Sequence, residues 1–111
     1  MNCLFCAIVA GEIPASKVKE NDNVLAFNDI NPQAPTHILI IPKVHFENAG
    51  ELAAADEKIL AELFAVASDI AAEKSLNGYR TVFNTGKDGG QTVFHAHLHL
   101  LGGRALHWPP G

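Results

Sequence analysis

Three histidines, His95, His97 and His99, alternate with apolar residues in the segment His95–Leu101. In a β-strand successive side chains point to opposite faces, so the three imidazoles would share one face, whereas a helix would align only His95 with His99. A glycine pair on each side of the segment favours a short strand. Imidazole ionises near neutral pH and serves as a nucleophile, acid, base or metal ligand. The pattern therefore predicts a chemical site rather than a solvated strand face.

A glycine-rich loop, Thr85–Gln91, comes shortly before these histidines. Its backbone amides could bind phosphate oxygens, although its spacing does not match that of a P-loop. The position of the loop beside the histidines favours an anion site over a simple turn.

The elements that must hold these residues follow from hydrophobic periodicity and turn residues. A short helix is predicted from Leu4 to Ala10, and one long helix from about Asp56 to Leu76, ended by Asn77-Gly78. The predicted strands are Lys17–Glu20, Val24–Phe27, His37–Ile41, Tyr79–Asn84 and Thr92–Leu101. Strands before and after a single long helix predict an α+β fold, in which that helix covers a mainly antiparallel sheet.

The composition excludes several classes of protein. A chain of 111 residues is expected to form a single domain, residues 1–111, and its net charge of −4 argues against nucleic acid as a partner. The sequence has no apolar run long enough to span a bilayer, so we expect no membrane association and a cytoplasmic location. Only 18% of the residues are charged, which favours a second copy of the chain covering part of the surface.

The segment His95–Leu101 resembles the His-φ-His-φ-His-φ-φ signature of the histidine triad (HIT) superfamily, where φ is apolar. The segments Asp29–His37, Gly89–Gln91 and Leu101–Gly111 resemble its histidine triad nucleotide-binding branch. The resemblance implies a five-stranded antiparallel sheet with one long helix and a short N-terminal helix. It also implies a homodimer whose two sheets form a continuous ten-stranded sheet.

The resemblance further implies hydrolysis of purine nucleoside 5′-phosphoramidates, such as AMP joined to an amine, with no cofactor required for the chemistry. His97 would be the nucleophile that is transiently nucleotidylated. His99 would contact the phosphate, and His37 would join the proton path toward the leaving amine. A covalent intermediate of this kind divides one difficult displacement at phosphorus into two easier ones.

The resemblance also implies the remaining substrate contacts. Asp29 would bind the ribose, and Asn84, Gly90 and Thr92 would hold the phosphate end. Trp108 would lie in a tail that reaches toward the partner subunit, and the purine slot would be lined by Phe5, Ile8, Ile13, Phe27 and Ile30. Each has a plainer interpretation: Asp29 could form a turn, Asn84 could simply end a strand, His37 could be a buried structural histidine, and the apolar residues could be ordinary core. Thr92 stands where serine is common in the family, and Asn28 stands where some relatives have histidine.

Two cysteines, Cys3 and Cys6, are separated by two residues, a spacing that indicates metal binding or redox chemistry in a reducing compartment. Some bacterial HIT members bind one zinc through such a pair, and the resemblance implies that His45 and His95 complete the set here. Four protein ligands would close a tetrahedral site and make the zinc structural. The alternative is two packed, reduced thiols and a surface His45.

Three functions therefore remain open at this point. The first is the phosphoramidase, and the second is a purine nucleotide-binding regulatory module in which turnover is incidental. The third is a metal-dependent hydrolase that uses all three triad histidines as ligands. The match of the whole set of residues, rather than the triad alone, favours the first.

Overall fold

A computed structural model describes residues 3–111 of the chain and has an α+β fold. In chain order the elements are α1 (Leu4–Val9), β1 (Lys17–Glu20), β2 (Val24–Asn28), β3 (Thr36–Pro42), α2 (Ala49–Ala55), α3 (Glu57–Glu73), β4 (Tyr79–Phe83) and β5 (Leu98–Gly102). The five strands form one antiparallel sheet in the order β1-β2-β3-β5-β4, which confirms the predicted sheet. None of the described helices combines the length and the apolarity needed to cross a bilayer.

The two faces of the sheet are covered by different helices. One face packs against α2 and α3 through the larger apolar cluster, which includes Ile38, Ile40 and Leu98. The other face packs against α1 through a smaller cluster, which includes Leu39 and Ile41. Because side chains alternate along a strand, residues on β3 and β5 that point away from α3 face α1 instead. The side chains of the site therefore lie on the α1 face.

The histidine strand is shorter than predicted. β5 begins at Leu98, so the expectation of a strand over residues 92–97 is wrong, and His95 and His97 precede the strand. The register of β3 and β5 would set Pro42 opposite Ala96. A proline has no N–H to offer a ladder, so regular pairing stops before that position.

Other bonds hold the segment that precedes β5. The Ala96 N–H donates to the carbonyl of Phe46 at 2.7 Å, and the His95 Nε2–H donates to the carbonyl of Pro42 at 2.8 Å. Alternation of the side chains survives the loss of the ladder, since Ala96 and Leu98 are buried while the neighbouring histidines point toward α1. The predicted grouping of the histidines on one side of the chain is thus retained without a continuous strand.

The long helix ends three residues before the predicted Leu76. Ser75 adopts φ 53°, and the N–H groups of Ser75 and Leu76 donate back to the carbonyls of Ala72 and Ala71. These two bonds form a Schellman motif, in which a left-handed residue terminates the helix. The predicted terminator, Asn77-Gly78, is therefore wrong, because Ser75 takes that conformation first.

Helix α2 was not predicted, so the expectation of only two helices is wrong. Its signal is present in the sequence as Asn48, whose side chain accepts a hydrogen bond from the Glu51 N–H at 2.9 Å. An Asn followed three residues later by Glu is a common start of a helix. The small residues of α2 give weak periodicity, with Leu52 alone fully buried, which explains why the pattern did not reveal it.

Candidate active site

A cavity of about 340 Å³ opens on the α1 face of the sheet. Its lining is mostly apolar, and none of the described residues in it is a lysine or an arginine. The lining residues are Leu4, Phe5, Ile8, Ile13, Pro14, Phe27, Asn28, Asp29, Ile30, Leu39, Thr92, Val93, His97 and His99. An apolar cleft with a few convergent polar groups is the usual form of a small-molecule site.

The cavity brings together most of the residues singled out in the sequence. All five apolar residues expected around a purine line it, together with Asp29, Thr92, His97 and His99. Ile30 is fully exposed at its rim, whereas Phe5 and Phe27 are buried and pack edge to face with ring centroids 5.5 Å apart. The cavity therefore has a rigid aromatic wall and an open edge.

Four of the residues predicted for catalysis or substrate binding lie outside the lining, namely His37, Asn84, Gly90 and Trp108. His37 stands directly behind it and bonds to His99. Trp108 is 82% exposed in the C-terminal tail and does not line the cavity of its own chain. Arg80 anchors that tail by donating to the carbonyl of His107 at 2.9 Å.

Several lining residues were missed in the sequence, and two of them carried a signal. Leu4 lies four residues before Ile8, on the same face of α1, and Leu39 shares the α1 face of β3 with His37. Pro14 and Val93 lie in irregular segments, where no helical or strand periodicity predicts which way a side chain points.

The ring of His97 is held by a backbone carbonyl two residues earlier in the chain. Its Nδ1 lies 2.8 Å from the carbonyl oxygen of His95. A carbonyl can only accept, so Nδ1 carries the proton and Nε2 keeps its lone pair. The side chain is 6% exposed and packs edge to face against Phe5, with ring centroids 5.0 Å apart. His97 is thereby a neutral imidazole with a nucleophilic nitrogen in a restricted orientation.

A chain of hydrogen bonds determines the tautomers of His37 and His99. The backbone N–H of Gln33 donates to His37 Nδ1 at 3.0 Å, so the proton of His37 is on Nε2. That Nε2–H donates to His99 Nδ1 at 2.9 Å, which leaves the proton of His99 on Nε2. His99 Nε2 is buried without a hydrogen-bond partner among the described residues. His99, which lines the cavity, thus carries an unsatisfied donor.

Burial keeps these rings neutral. It lowers the pKa of His37, His97 and His99, since a charged imidazole loses its hydration there. For His99 the pKa falls to about 4, because the neighbouring His97 and His37 add to the effect of burial. The carboxylate of Asp29 opposes all three shifts to a smaller extent.

The Asp29 carboxylate both stabilises a turn and contacts a histidine of the site. One carboxylate oxygen accepts from the Asn31 N–H at 2.8 Å, which is the turn-forming role considered from the sequence. The other lies 3.4 Å from His37 Nε2. The turn therefore orients the carboxylate toward the histidine pair, and the two interpretations of Asp29 are compatible.

Three backbone amides of the glycine-rich loop are already bonded within the loop itself. The N–H groups of Gly90 and Gln91 donate to carbonyls of Lys87 and Gly86, within the loop itself. The Gly86 N–H donates to the side chain of Gln91 at 2.9 Å. The Gly90 amide itself is thus already used, and a role for the backbone near Gly90 at the phosphate end stays a prediction.

Gln91 was not recognised as a site residue, yet its buried side chain joins three segments. Its amide nitrogen donates to the carbonyls of Glu47 and Val93, at 2.7 and 3.1 Å, while its oxygen accepts from Gly86. The loop, the segment before α2 and the start of the histidine segment are thereby joined at one buried amide. No sequence pattern signals such a residue.

A second set of side chains, Cys3, Cys6, His45 and His95, meets at the start of α1. The closest of their donor atoms are separated by 3.2 Å (His45 Nδ1 to His95 Nδ1), 3.4 Å (Cys3 Sγ to His95 Nδ1, and Cys6 Sγ to His45 Nδ1) and 3.6 Å (Cys6 Sγ to His95 Nδ1). With Zn–S and Zn–N bonds of about 2.3 and 2.05 Å, a tetrahedral ion separates its ligand atoms by about 3.3 to 3.8 Å. The four side chains fit a zinc ion.

The backbone prepares His95 for this role. Its Nε2–H donates to the carbonyl of Pro42, so its Nδ1 presents a lone pair toward both sulfurs. Metal-ligating histidines characteristically donate their other ring N–H in this way. The buried carbonyl therefore selects the tautomer that can bind a metal.

Asp29, His37 and His99 form another set of potential ligands within 4.8 Å of one another. Here the backbone selects against a metal, because the Gln33 N–H forces the proton of His37 onto the nitrogen that would have to bind. The three triad histidines do not converge on one point among the described residues, since His95 turns to the cysteines and His97 to the main chain. This arrangement contradicts the alternative of a metal-dependent hydrolase with three triad ligands.

Comparison with known proteins agrees with the fold. The family model described as the HIT domain matches residues 10–106. The chain belongs to the HIT domain family. A 14 kDa zinc-binding protein of Zea mays is 54% identical over 112 residues, which cover 97% of this chain and 87% of the maize protein.

Two further HIT relatives match almost end to end. An uncharacterized HIT-like protein of Synechococcus elongatus is 53% identical over 109 residues, covering 97% of this chain and 96% of the other. The crystal structure of a HIT family hydrolase from Legionella pneumophila superposes with a TM-score of 0.95 at 54% identity, covering 99% of this chain and all of that one. The HIT fold thus extends over the described chain and includes the segment that carries the three histidines.

The ionisation of His99 provides a direct test of this geometry. We expect its ring resonances to stay constant from about pH 8 to about pH 5, whereas an ordinary histidine titrates near 6.5. The midpoint should lie near the lowered pKa of about 4. The unfolded chain binds this proton at the higher pH, so the His99 contribution to the free energy of unfolding should be lost as the pH falls from about 6.5 toward 4. Histidine-selective NMR with added imidazole as the pH standard measures the midpoint, and titration of His99 near 6.5 would contradict the buried, neutral ring.

Proposed function

We propose that the protein hydrolyses purine nucleoside 5′-phosphoramidates through a nucleotidyl intermediate on His97. The observation that carries this proposal is the pairing of a nucleophilic Nε2 on His97 with an unsatisfied N–H on His99, beside an apolar cavity. A neutral imidazole attacks phosphorus well, and a buried donor stabilises charge that develops on a phosphoryl oxygen. The hydrolase relative from Legionella supports the general class of reaction.

In the first step, His97 Nε2 attacks phosphorus, the new P–N bond to His97 forms, and the P–N bond to the amine breaks. The proton on His97 Nδ1 stays on the ring, where the His95 carbonyl stabilises the positive charge that develops. The His99 Nε2–H donates to a phosphoryl oxygen. The attack needs no proton transfer from the nucleophile, because burial already keeps His97 neutral.

The leaving nitrogen must take up one proton, because an amine leaves poorly as an anion. The hydrogen bond from His37 to His99 is a path for that proton: His99 gives its Nε2 proton to the leaving nitrogen, and the His37 Nε2 proton moves to His99 Nδ1. Solution then reprotonates His37 Nε2 beside the Asp29 carboxylate. In the second step, water attacks phosphorus, the bond to His97 breaks, and one proton returns to solution. The products are the nucleoside monophosphate and the free amine.

The nucleoside portion of the substrate matches the rest of the cavity. Phe5 and Phe27 provide an edge-to-face aromatic wall against which a purine can pack. The Asp29 carboxylate oxygen that faces His37 can also accept from ribose hydroxyls. Thr92 and Asn28 line the cavity, so we assign them to the phosphate end and to the ribose side, respectively.

The reaction is tested by incubating the protein with an adenosine phosphoramidate and comparing it with His97→Ala. We expect amine release to fall by roughly a thousandfold or more in the variant, because loss of a catalytic nucleophile leaves only the binding contribution. An acid-labile adduct should map to His97 by mass spectrometry in the unaltered protein alone.

The control is binding of AMP to both proteins by calorimetry, which reports that the cavity is intact. If the unaltered protein binds AMP but releases amine no faster than His97→Ala, the alternative function is correct. The protein is then a purine nucleotide-binding regulatory module.

We also propose that two chains associate through β4 and α3 into a homodimer with a continuous ten-stranded sheet, with the Trp108 tail directed toward the partner's cavity. β4 is an edge strand with an unpaired row of backbone groups. Tyr79 on β4 and Phe64 on α3 are each 44% exposed. Phe64 packs edge to face on Phe83, which joins helix and strand in one apolar surface.

Phe64→Glu should convert the dimer to a monomer, because it would bury a charge at the centre of that surface. Sedimentation equilibrium measures the mass of each variant, and Ala53→Glu on the exposed face of α2 is the control. A monomeric unaltered protein, or a dimer that survives Phe64→Glu, would rule out this interface.

Finally, we propose that Cys3, Cys6, His45 and His95 hold one structural zinc, as the name of the maize relative supports. When bound, the ion would join α1 to the histidine segment and would leave His97 and His99 free for chemistry.

Cys3→Ser separates the role of Cys3 as a ligand from its role as a helix cap. The Cys3 sulfur accepts from the Cys6 N–H, and serine retains such an acceptor. We expect about one zinc per chain in the unaltered protein by elemental analysis and much less in Cys3→Ser. His107→Asn, outside the cluster, is the control, and an unchanged zinc content in Cys3→Ser would refute this ligand set.

A further inference from the structure

We propose that the metal cluster positions the nucleophile, so that zinc binding and nucleotide binding increase each other's affinity. The inference rests on the proposed function, because it concerns the same cavity. Two sets of contacts on the cavity side of the cluster, one through His95 and one through Phe5, carry it.

The first connection runs through His95, which belongs to both sites by different atoms. Its ring takes part in the cysteine cluster through Nδ1 and donates to the Pro42 carbonyl through Nε2. Its own carbonyl accepts the His97 Nδ1–H at 2.8 Å. A ligand bond to the ring therefore restricts the carbonyl that orients the nucleophile. His95 is a positioning residue for His97.

The second connection runs through α1. Cys3 and Cys6 flank Phe5, and Cys3 caps the helix by accepting from the Cys6 N–H. The Phe5 ring lies between the two sites, with centroids 5.9 Å from His95 and 5.0 Å from His97. Because Phe5 is also a wall of the cavity, any displacement of α1 alters the surface that a purine would contact.

The geometry of the cluster gives the coupling its sign. The two imidazole nitrogens of His45 and His95 stand 3.2 Å apart, and the His95 nitrogen is committed to a lone pair by its bond to Pro42. Without a metal, His95 Nδ1 can only accept a hydrogen bond, whereas zinc would hold all four ligands by coordination bonds. Loss of the metal therefore weakens the connection between α1 and His95 and allows them to separate. Separation would draw His95 and α1 away from the positions that form the cavity. Zinc therefore favours the conformation that binds nucleotide, and nucleotide favours the one that binds zinc.

Linkage requires the two effects to be equal, which allows the proposal to be tested twice. AMP binding is measured by calorimetry on the zinc-loaded and the chelator-treated chain. Zinc affinity is measured by competition with a chromophoric chelator, with and without saturating AMP. We expect both affinities to change by the same factor, about fivefold or more, as is usual for coupled sites.

Equal AMP affinity in the loaded and metal-free chain would overturn the coupling, while leaving the proposed function intact. If AMP binds neither form, the proposed function fails with it. The two failures are thus distinguishable by whether the loaded chain binds AMP at all.

A second measurement remains valid if the metal-free chain does not fold. Co²⁺ in the cluster reports its ligand geometry through visible absorption bands, so saturating AMP should shift those bands. In Phe5→Leu the shift should be smaller, at an unchanged Co²⁺ content, because leucine cannot contact both imidazoles as the ring does. Phe27→Leu is the matched control, since Phe27 also lines the cavity and packs on Phe5. Phe27→Leu should weaken AMP binding but preserve the shift of the Co²⁺ bands at saturating AMP. If saturating AMP does not shift the Co²⁺ bands of the unaltered chain, the proposal is refuted.

Discussion

The whole site depends on three backbone groups that each bond one imidazole. The Pro42 carbonyl holds His95, the His95 carbonyl holds His97, and the Gln33 N–H holds His37. A carbonyl forces the proton onto the nitrogen that it contacts, and an N–H forces it away. These constraints leave His95 with a lone pair on Nδ1 toward the cysteines, His97 with a lone pair on Nε2, and His37 as a donor to His99. Chemically identical side chains thus acquire different roles without any difference in their own composition.

The same constraint explains why an apolar cavity without lysine or arginine would suit the proposed chemistry. Cations beside a neutral nucleophile would attract the phosphate but would also strengthen its ground-state binding, which does not accelerate reaction. Buried neutral imidazoles donate only through nitrogens whose protons the main chain has assigned. In the proposed reaction, low local polarity would strengthen the hydrogen bond from the unpaired donor, His99 Nε2, to a phosphoryl oxygen. The lowered pKa values of the histidines and the apolar walls are two consequences of one environment.

The sheet, its strands and most of the cavity could be predicted from the sequence because each leaves a periodic or a motif-level signal. The alternation in Val24–Phe27 and around the histidines places side chains on faces even where β5 has not yet begun. The details that could not be predicted depend on which backbone groups are already bonded. Pro42 interrupts the ladder opposite Ala96, and the bond from Gly90 to Lys87 consumes an amide that looked free. Composition and spacing carry no information about which backbone group is already used.

The unsatisfied His99 Nε2–H lowers the stability of the fold while leaving a donor free for a ligand. A buried donor without a partner costs about 1 to 3 kcal/mol, a large fraction of the stability of a small domain. The surrounding structure tolerates that cost because β3 and β5, paired from Thr36 to Ile40, hold both members of the His37–His99 bond on adjacent central strands. A bound phosphoryl oxygen would satisfy the donor and recover this energy. Part of the affinity that we propose for a phosphorylated ligand would therefore come from pairing a donor that folding alone leaves without a partner.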